Sequence, residues 1–323
     1  MARKVVGTVL KILAACLLFA VCFVVAGALS GLDKAAQQAS PSAPSVQAPP
    51  GQQGAAAAPE SPSSPAPQPG LLFPFLIFSV SAGVVLSYLI LRSSWHGWTL
   101  AGAIFVGMYG ISTVATQVET LFFLSNKMPH GMIRAIFLQG AIAAALFAPL
   151  AVLVLGKWRS FSARTTSPPS RLPISSVVTR LAAIVVAFVF LYMFFGYYVA
   201  WQNPALRQYY GGPEQPTFFA ALKVNWMYNP SIYALQVFRA LLYVACMYPL
   251  MRMLRVGRWE STFAMAFFLS VWTTILLIPN PLMPPEVAYT HFRETLGFSI
   301  VFGSIAGWLL SKPPNPVESV SAS

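Results

Sequence analysis

From residue 71 to residue 310 the chain is a succession of apolar runs broken by short polar turns. Most of these runs approach the roughly 20 residues that an α-helix needs to cross a bilayer. The chain is 57% hydrophobic and only 9% charged, where a soluble domain carries roughly 25% charged residues. In water it would have nothing with which to cover its apolar surface. In hydrocarbon every backbone donor and acceptor has to be satisfied internally, and long apolar helices do this segment by segment. The expected fold class is all-α, a polytopic membrane helical bundle of about eight transmembrane helices. The runs place them near 12–29, 71–91, 98–124, 132–155, 177–201, 231–253, 261–278 and 295–310.

The first run follows Arg3, Lys4 and Lys11 and is expected to be a retained N-terminal anchor (1–30). A cleaved signal ending at Ala26-Gly27-Ala28 is the alternative, but the run is long for one. Residues 31–70 are Pro, Ala, Ser, Gln and Gly with almost no charge. Too little apolar surface is present there to offset ordering, so this segment reads as a disordered extracytoplasmic tether. A seven-helix bundle is expected over 71–311 and a disordered cytoplasmic tail over 312–323. Two small-residue patterns predict close helix contacts: Ser79, Gly83 and Ser87, spaced four apart, and Gly303-x-x-x-Gly307. Cys16, Cys22 and Cys246 all fall inside apolar runs, where they act as small hydrophobes rather than as a disulfide framework.

The formal net charge of +12 does not point to nucleic acid, because the basic residues sit in clusters between apolar runs. Of the twenty Lys and Arg, thirteen flank one side of the expected spans and six the other, and Arg239 lies within a span. Cytoplasmic loops are the Lys/Arg-rich ones. The count therefore predicts a multi-pass protein of the plasma (inner) membrane with both termini in the cytoplasm. The cytoplasmic loop 156–176, with Lys157, Arg159, Arg164 and Arg171, would meet anionic headgroups.

Against this background the polar residues near the outer side stand out. Glu119 lies about 8 Å, and Arg239 about 12 Å, from the outer ends of their helices by helical rise. A charge in hydrocarbon is costly and is usually paired or functional, so Arg239 is expected to face Glu119 or Glu294. A proline-rich turn (Pro279, Pro281, Pro284, Pro285) delivers His291, Arg293 and Glu294 to the mouth of the last apolar run. Gln236 lies one turn from Arg239, while Arg134, Gln202 and Arg207 sit at the same side. Glu119, Arg134, Gln202, Arg207, Gln236, Arg239, His291, Arg293 and Glu294 are therefore the candidate ligand-binding or charge-network residues. No catalytic set and no metal set is assigned: His291 and Glu294 at i, i+3 share a helix face that Glu119 would complete as a His-carboxylate set, but the chain has three histidines and no His-x-x-x-His pair, and Arg293 beside them opposes a cation.

Gly-x-Ser-x-Gly, His-Glu-x-x-His and phosphate-loop signatures are all missing. The leading expectation is an outward-facing polar site that binds or translocates a small or lipid-like ligand. A membrane-embedded enzyme acting at the outer leaflet and a structural subunit of a membrane complex are the alternatives. The expected partners are the lipid bilayer and a small-molecule or lipid ligand; no cofactor and no nucleic acid is called for, and no oligomeric state is specified. In the outer loop 202–230, residues 209–213 read as a turn. Thr217 should then cap a short helix presenting Phe219, Leu222 and Trp226 to the outer leaflet, with a lid over the site as the alternative. The orientation is testable with an impermeant thiol reagent on sealed cells. Ser45→Cys and Gln215→Cys should label from outside, and Thr166→Cys and Val317→Cys should not; labelling of Thr166→Cys would reverse the topology.

Overall fold

The computed structural model describes residues 2–32, 34–35, 70–124, 128–159, 174–212, 214, 217–279 and 283–311. Most of the expected tether, the centre of the 156–176 loop and the C-terminal tail lie outside the described residues. The regular elements among the described residues are all helices, and a backbone bridge joins Ser93 and Leu254. In chain order the helices are α1 (Ala2–Ser30), α2 (Leu72–Arg92), α3 (Gly97–Leu124), α4 (Met132–Val154), α5 (Ile174–Ala200), α6 (Pro204–Tyr210), α7 (Phe218–Tyr228), α8 (Ser231–Met253), α9 (Arg258–Leu277) and α10 (Pro285–Leu310). Seven of them, α1 to α5, α8 and α9, are long and apolar enough to cross a membrane. The remaining expected span, α10, is 26 residues long but carries Glu286, His291, Arg293 and Glu294 in its first turns. Its apolar part starts at Thr295 and gives only about 24 Å of helix.

α1 packs on α2 and α4, and α9 lies along α10 and against α2. α8 bridges α3 and α5. Both small-residue patterns form the close contacts expected of them. Ser79 and Ser87 are buried, and a Cβ at Gly83 would fall 2.6 Å from the Cys16 Cα of α1. A Cβ at Gly303 would fall 2.7 Å from the Ala266 Cα of α9. The three cysteines are free and buried, as apolar side chains are.

The basic residues expected on one side do meet at one end of the bundle. Arg180 donates to the Leu309 and Ser311 carbonyls, at 2.8 and 3.2 Å, and so caps the C-terminus of α10. Arg258 stacks on the Trp308 ring and donates to its carbonyl. Lys157 donates to the Ser93 carbonyl just past α2, and Arg92 pairs with Glu260, which also accepts from Tyr88. Cations at helix C-termini satisfy carbonyls that have no partner within the helix and answer the negative end of the dipole.

One sequence expectation is corrected here. Tyr209 and Tyr210 do not belong to a turn but complete α6, and the reversal begins only at Gly211, whose φ is +74°. The helix extends that far because Asn203 caps it, accepting from the Ala205 N–H at 2.8 Å, and Pro204 occupies its first turn.

The glycine contact gives a stability test. Gly303→Ala should lower the melting temperature in detergent, at an overpacking cost of about 1–3 kcal/mol. Gly102→Ala, where a Cβ meets open space, should leave it unchanged or raise it. Equal effects of the two would mean that α10 does not depend on its close approach to α9.

Candidate functional site

Three of the long helices depart from α-geometry, and they do so around one cavity. In α3, Gly110–Ala115 is a π-helical turn; in α5, Gly196–Ala200 is another; in α9, Trp272–Leu277 tightens to a 3₁₀ helix. The local chemistry differs in each. Thr116 Oγ1 donates back five residues to the Ile111 carbonyl at 3.2 Å, which fits the wide turn of α3. In α9, Thr273 and Thr274 donate to the Ser270 and Val271 carbonyls, three residues back, the spacing of the tighter helix. Residues of all three segments, among them Ile111, Ser112, Gly196, Tyr197, Trp272 and Thr273, line a cavity of about 530 Å³.

The floor of the site is Arg239, which is buried. Its Nη2 lies 2.7 Å from Glu119 Oε2, its Nη1 donates to Gln236 Oε1 at 2.8 Å, and its Nε donates to the Ala115 carbonyl at 3.3 Å. That carbonyl belongs to the last residue of the π turn. The guanidinium also stands 5.8 Å from the ring centres of Phe188 and Tyr192. Glu119, by contrast, is about a third exposed, and the space it meets is the cavity.

The second polar group comes from α10 and α6. His291 Nδ1 is 2.8 Å from Glu294 Oε2, and His291 Nε2 is 2.9 Å from the Tyr210 hydroxyl. Asn203, the cap of α6, donates to Thr290 at 2.7 Å, so the turn that ends α5 is tied to the helix bearing His291. With the His291 Nδ1–H donating to the carboxylate, the Tyr210 O–H donates to Nε2. Burial pushes the Tyr210 phenol up, and Glu119 and Glu294 push it further, so it stays a neutral donor.

Glu119, Arg239, His291 and Glu294 thus line the one cavity, with Gln236 behind Arg239. Arg239 is paired with Glu119, while Glu294 holds His291. The other four candidates do not join them. Arg134 lines a separate shallow pocket of about 300 Å³ with Lys34 and His130. Gln202 donates to the Tyr197 carbonyl and Arg207 to the Trp201 carbonyl, so both brace the end of α5. Arg293 is exposed on the opposite side of its turn from His291 and Glu294. The reason is angular: depth along a helix is legible in a sequence, but the direction a side chain takes around the axis depends on which neighbour the helix finds. Among the described residues no three His, Cys, Asp or Glu side chains are grouped to hold a metal.

Sequence reasoning missed Tyr192, Tyr210, Tyr243, Thr116 and Trp272, all in the cavity wall. Tyrosine and threonine within runs of Phe and Val were the available signal. α7 also differs from expectation. Thr217 caps it, accepting from Ala220 at 3.2 Å, and Phe219 and Trp226 are exposed as anticipated. Leu222, however, lines the cavity together with Phe218, Ala221 and Asn225.

The exposures give the Arg239–Glu119 pair an asymmetric prediction. Glu119→Gln leaves a buried, uncompensated guanidinium and should cost about 3 kcal/mol. Arg239→Gln leaves a carboxylate already open to the cavity and should cost less. The double variant should recover part of the loss, whereas Arg239→Gln and Glu294→Gln should combine additively. Chemical or thermal unfolding in detergent reads all five proteins, and a larger loss for Arg239→Gln than for Glu119→Gln would contradict the geometry.

No family model, curated protein or solved structure matches the chain.

Proposed function

We propose that this integral membrane protein binds, or moves, a small amphiphilic or lipid-like ligand in the cavity among α3, α5, α7, α8, α9 and α10. One observation carries the reading: both ion pairs project into one cavity whose remaining wall is mostly apolar and aromatic. Ligand sites of roughly 300–1,000 Å³ have this make-up, an apolar surface with a few convergent polar groups that fix orientation. Irregular helical turns at membrane depth line cavities rather than lipid, and π turns concentrate at functional sites. The Lys/Arg asymmetry supports a cavity that opens to the outer side of the inner membrane, with both termini cytoplasmic.

A second reading, a membrane enzyme working at the outer leaflet, draws on the Tyr210–His291–Glu294 row. A carboxylate that orients a histidine whose other nitrogen faces a proton donor is general acid–base geometry. A structural subunit has less support, because both small-residue patterns are used inside the chain against α1 and α9.

Thr116→Trp tests the leading reading, since Thr116 faces the cavity and takes no part in either ion pair. The neutral amphiphile N-phenyl-1-naphthylamine should bind the folded wild type saturably. Its affinity should fall at least about tenfold, or 1.4 kcal/mol, in the filled variant. Equal binding by two equally stable proteins would remove the cavity from consideration as a ligand site.

A further inference from the structure

The charges of the cavity do not cancel. Its described lining carries two carboxylates, Glu119 and Glu294, one guanidinium, Arg239, and one imidazole, His291. Arg239 is committed three ways, to Glu119, Gln236 and the Ala115 carbonyl, so the first pair is closed and formally neutral. The second is different. Glu294 Oε2 is taken by His291, but Oε1 lies beside Gly196, which has no side chain to cover it. With a neutral imidazole the site has one negative charge in excess; with an imidazolium it has none. The walls around that excess are largely aromatic, including Tyr192, Phe195, Tyr197 and Phe298, and aromatic rings attract cations.

We propose that the cavity takes a ligand bearing one cationic nitrogen, or a comparable soft cation, on an apolar body, and that this cation and the proton on His291 compete for the Glu294 carboxylate. The inference rests on the cavity being a ligand site. A hard metal cation does not suit it, since no third ligand is grouped with His291 and Glu294 among the described residues. An anion is opposed by both carboxylates and finds the only arginine of the lining already occupied.

The groups around His291 support the exchange from every side. α6 contributes the neutral Tyr210 hydroxyl, α10 Glu294 itself, α3 the Glu119 carboxylate, α5 the Tyr192 phenol, and α8 the engaged Arg239. His291 precedes the apolar part of α10. Its burial favours the neutral ring, but the hydrogen bond and charge of Glu294, with Glu119 behind, outweigh this and raise its pKa above the ordinary imidazole value. Below that pKa the proton neutralises Glu294, so a cationic ligand is held weakly. As the pH rises through it the proton leaves to solvent and the ligand is held tightly. A site of this kind binds its cation in exchange for a proton.

The test uses the full chain in lipid nanodiscs with tetraphenylphosphonium, whose charge does not titrate, its size-matched anion tetraphenylborate, and the neutral naphthylamine. Equilibrium dialysis should show saturable phosphonium binding at about pH 8.5, weakened at least about tenfold at about pH 5.5, one pKa unit of linkage being a factor of ten. Saturable tetraphenylborate binding should be missing. His291→Gln should bind the phosphonium with little pH dependence, and Glu294→Gln should lose at least about tenfold at the higher pH. If either variant unfolds, the wild-type pH profile and the cation–anion comparison still decide. Neutral-probe binding without a preference for phosphonium over borate, or phosphonium binding that is flat with pH, overturns this inference and leaves the cavity reading standing. No saturable binding of any of the three overturns both.

Discussion

Burying Arg239 is the demand that shapes the rest of the site. A guanidinium taken out of water loses several kcal/mol of hydration, and a single partner rarely restores it unless the other donors are also satisfied. Here Glu119 supplies the charge, Gln236 an amide oxygen, and Ala115 a main-chain carbonyl. The π turn from Gly110 to Ala115 ends at that carbonyl, so the irregular backbone of α3 and the buried charge of α8 are two halves of one arrangement. Remove the arginine and the last carbonyl of the wide turn loses a side-chain donor.

The helices were legible because hydrocarbon is an unforgiving solvent. Charges stop at its edge, so the ends of α2, α4 and α8 fall within a residue or two of where polarity returns in the sequence. The ionisable members of the site were legible for the same reason, as exceptions to that rule. Their pairing was half legible: depth made Glu119 and Glu294 the only acids within reach of Arg239, but only packing decides that Glu119 takes it. The aromatic lining was not legible at all. Tyr192 and Phe195 differ from lipid-facing aromatics such as Phe190 only in what stands opposite them. The π and 3₁₀ turns belong to the same class, since hydroxyls at Thr116 and Thr273 permit them without requiring them.

The caps at the other end show the same physics in a simpler setting. Arg180 and Arg258 were counted only as charges that orient the chain, yet both close carbonyls at the end of α10. A basic residue at the membrane edge therefore does two things at once: it meets headgroups and it satisfies the last turn of a neighbouring helix. That doubling explains how α10 is fixed along α9 although its apolar part is short. One end is tied by arginines, the middle by the absence of side chains at Gly303 and Gly307, and the other by the Asn203–Thr290 bond.

Fixing α10 in this way matters for the cavity, because it holds His291 and Glu294 in the cavity wall. α7 adds Phe218, Ala221 and Leu222 to the same cavity wall while exposing Phe219 and Trp226 on its other side. A helix with an apolar side toward the cavity and Phe219 and Trp226 flanking Lys223 on the other suits the boundary between a lipid-like phase and an apolar chamber. It packs on the bundle through few contacts, chiefly at the π turn of α5. The tightly packed elements fix the charges, and the loosely packed α7 completes the apolar wall beside them.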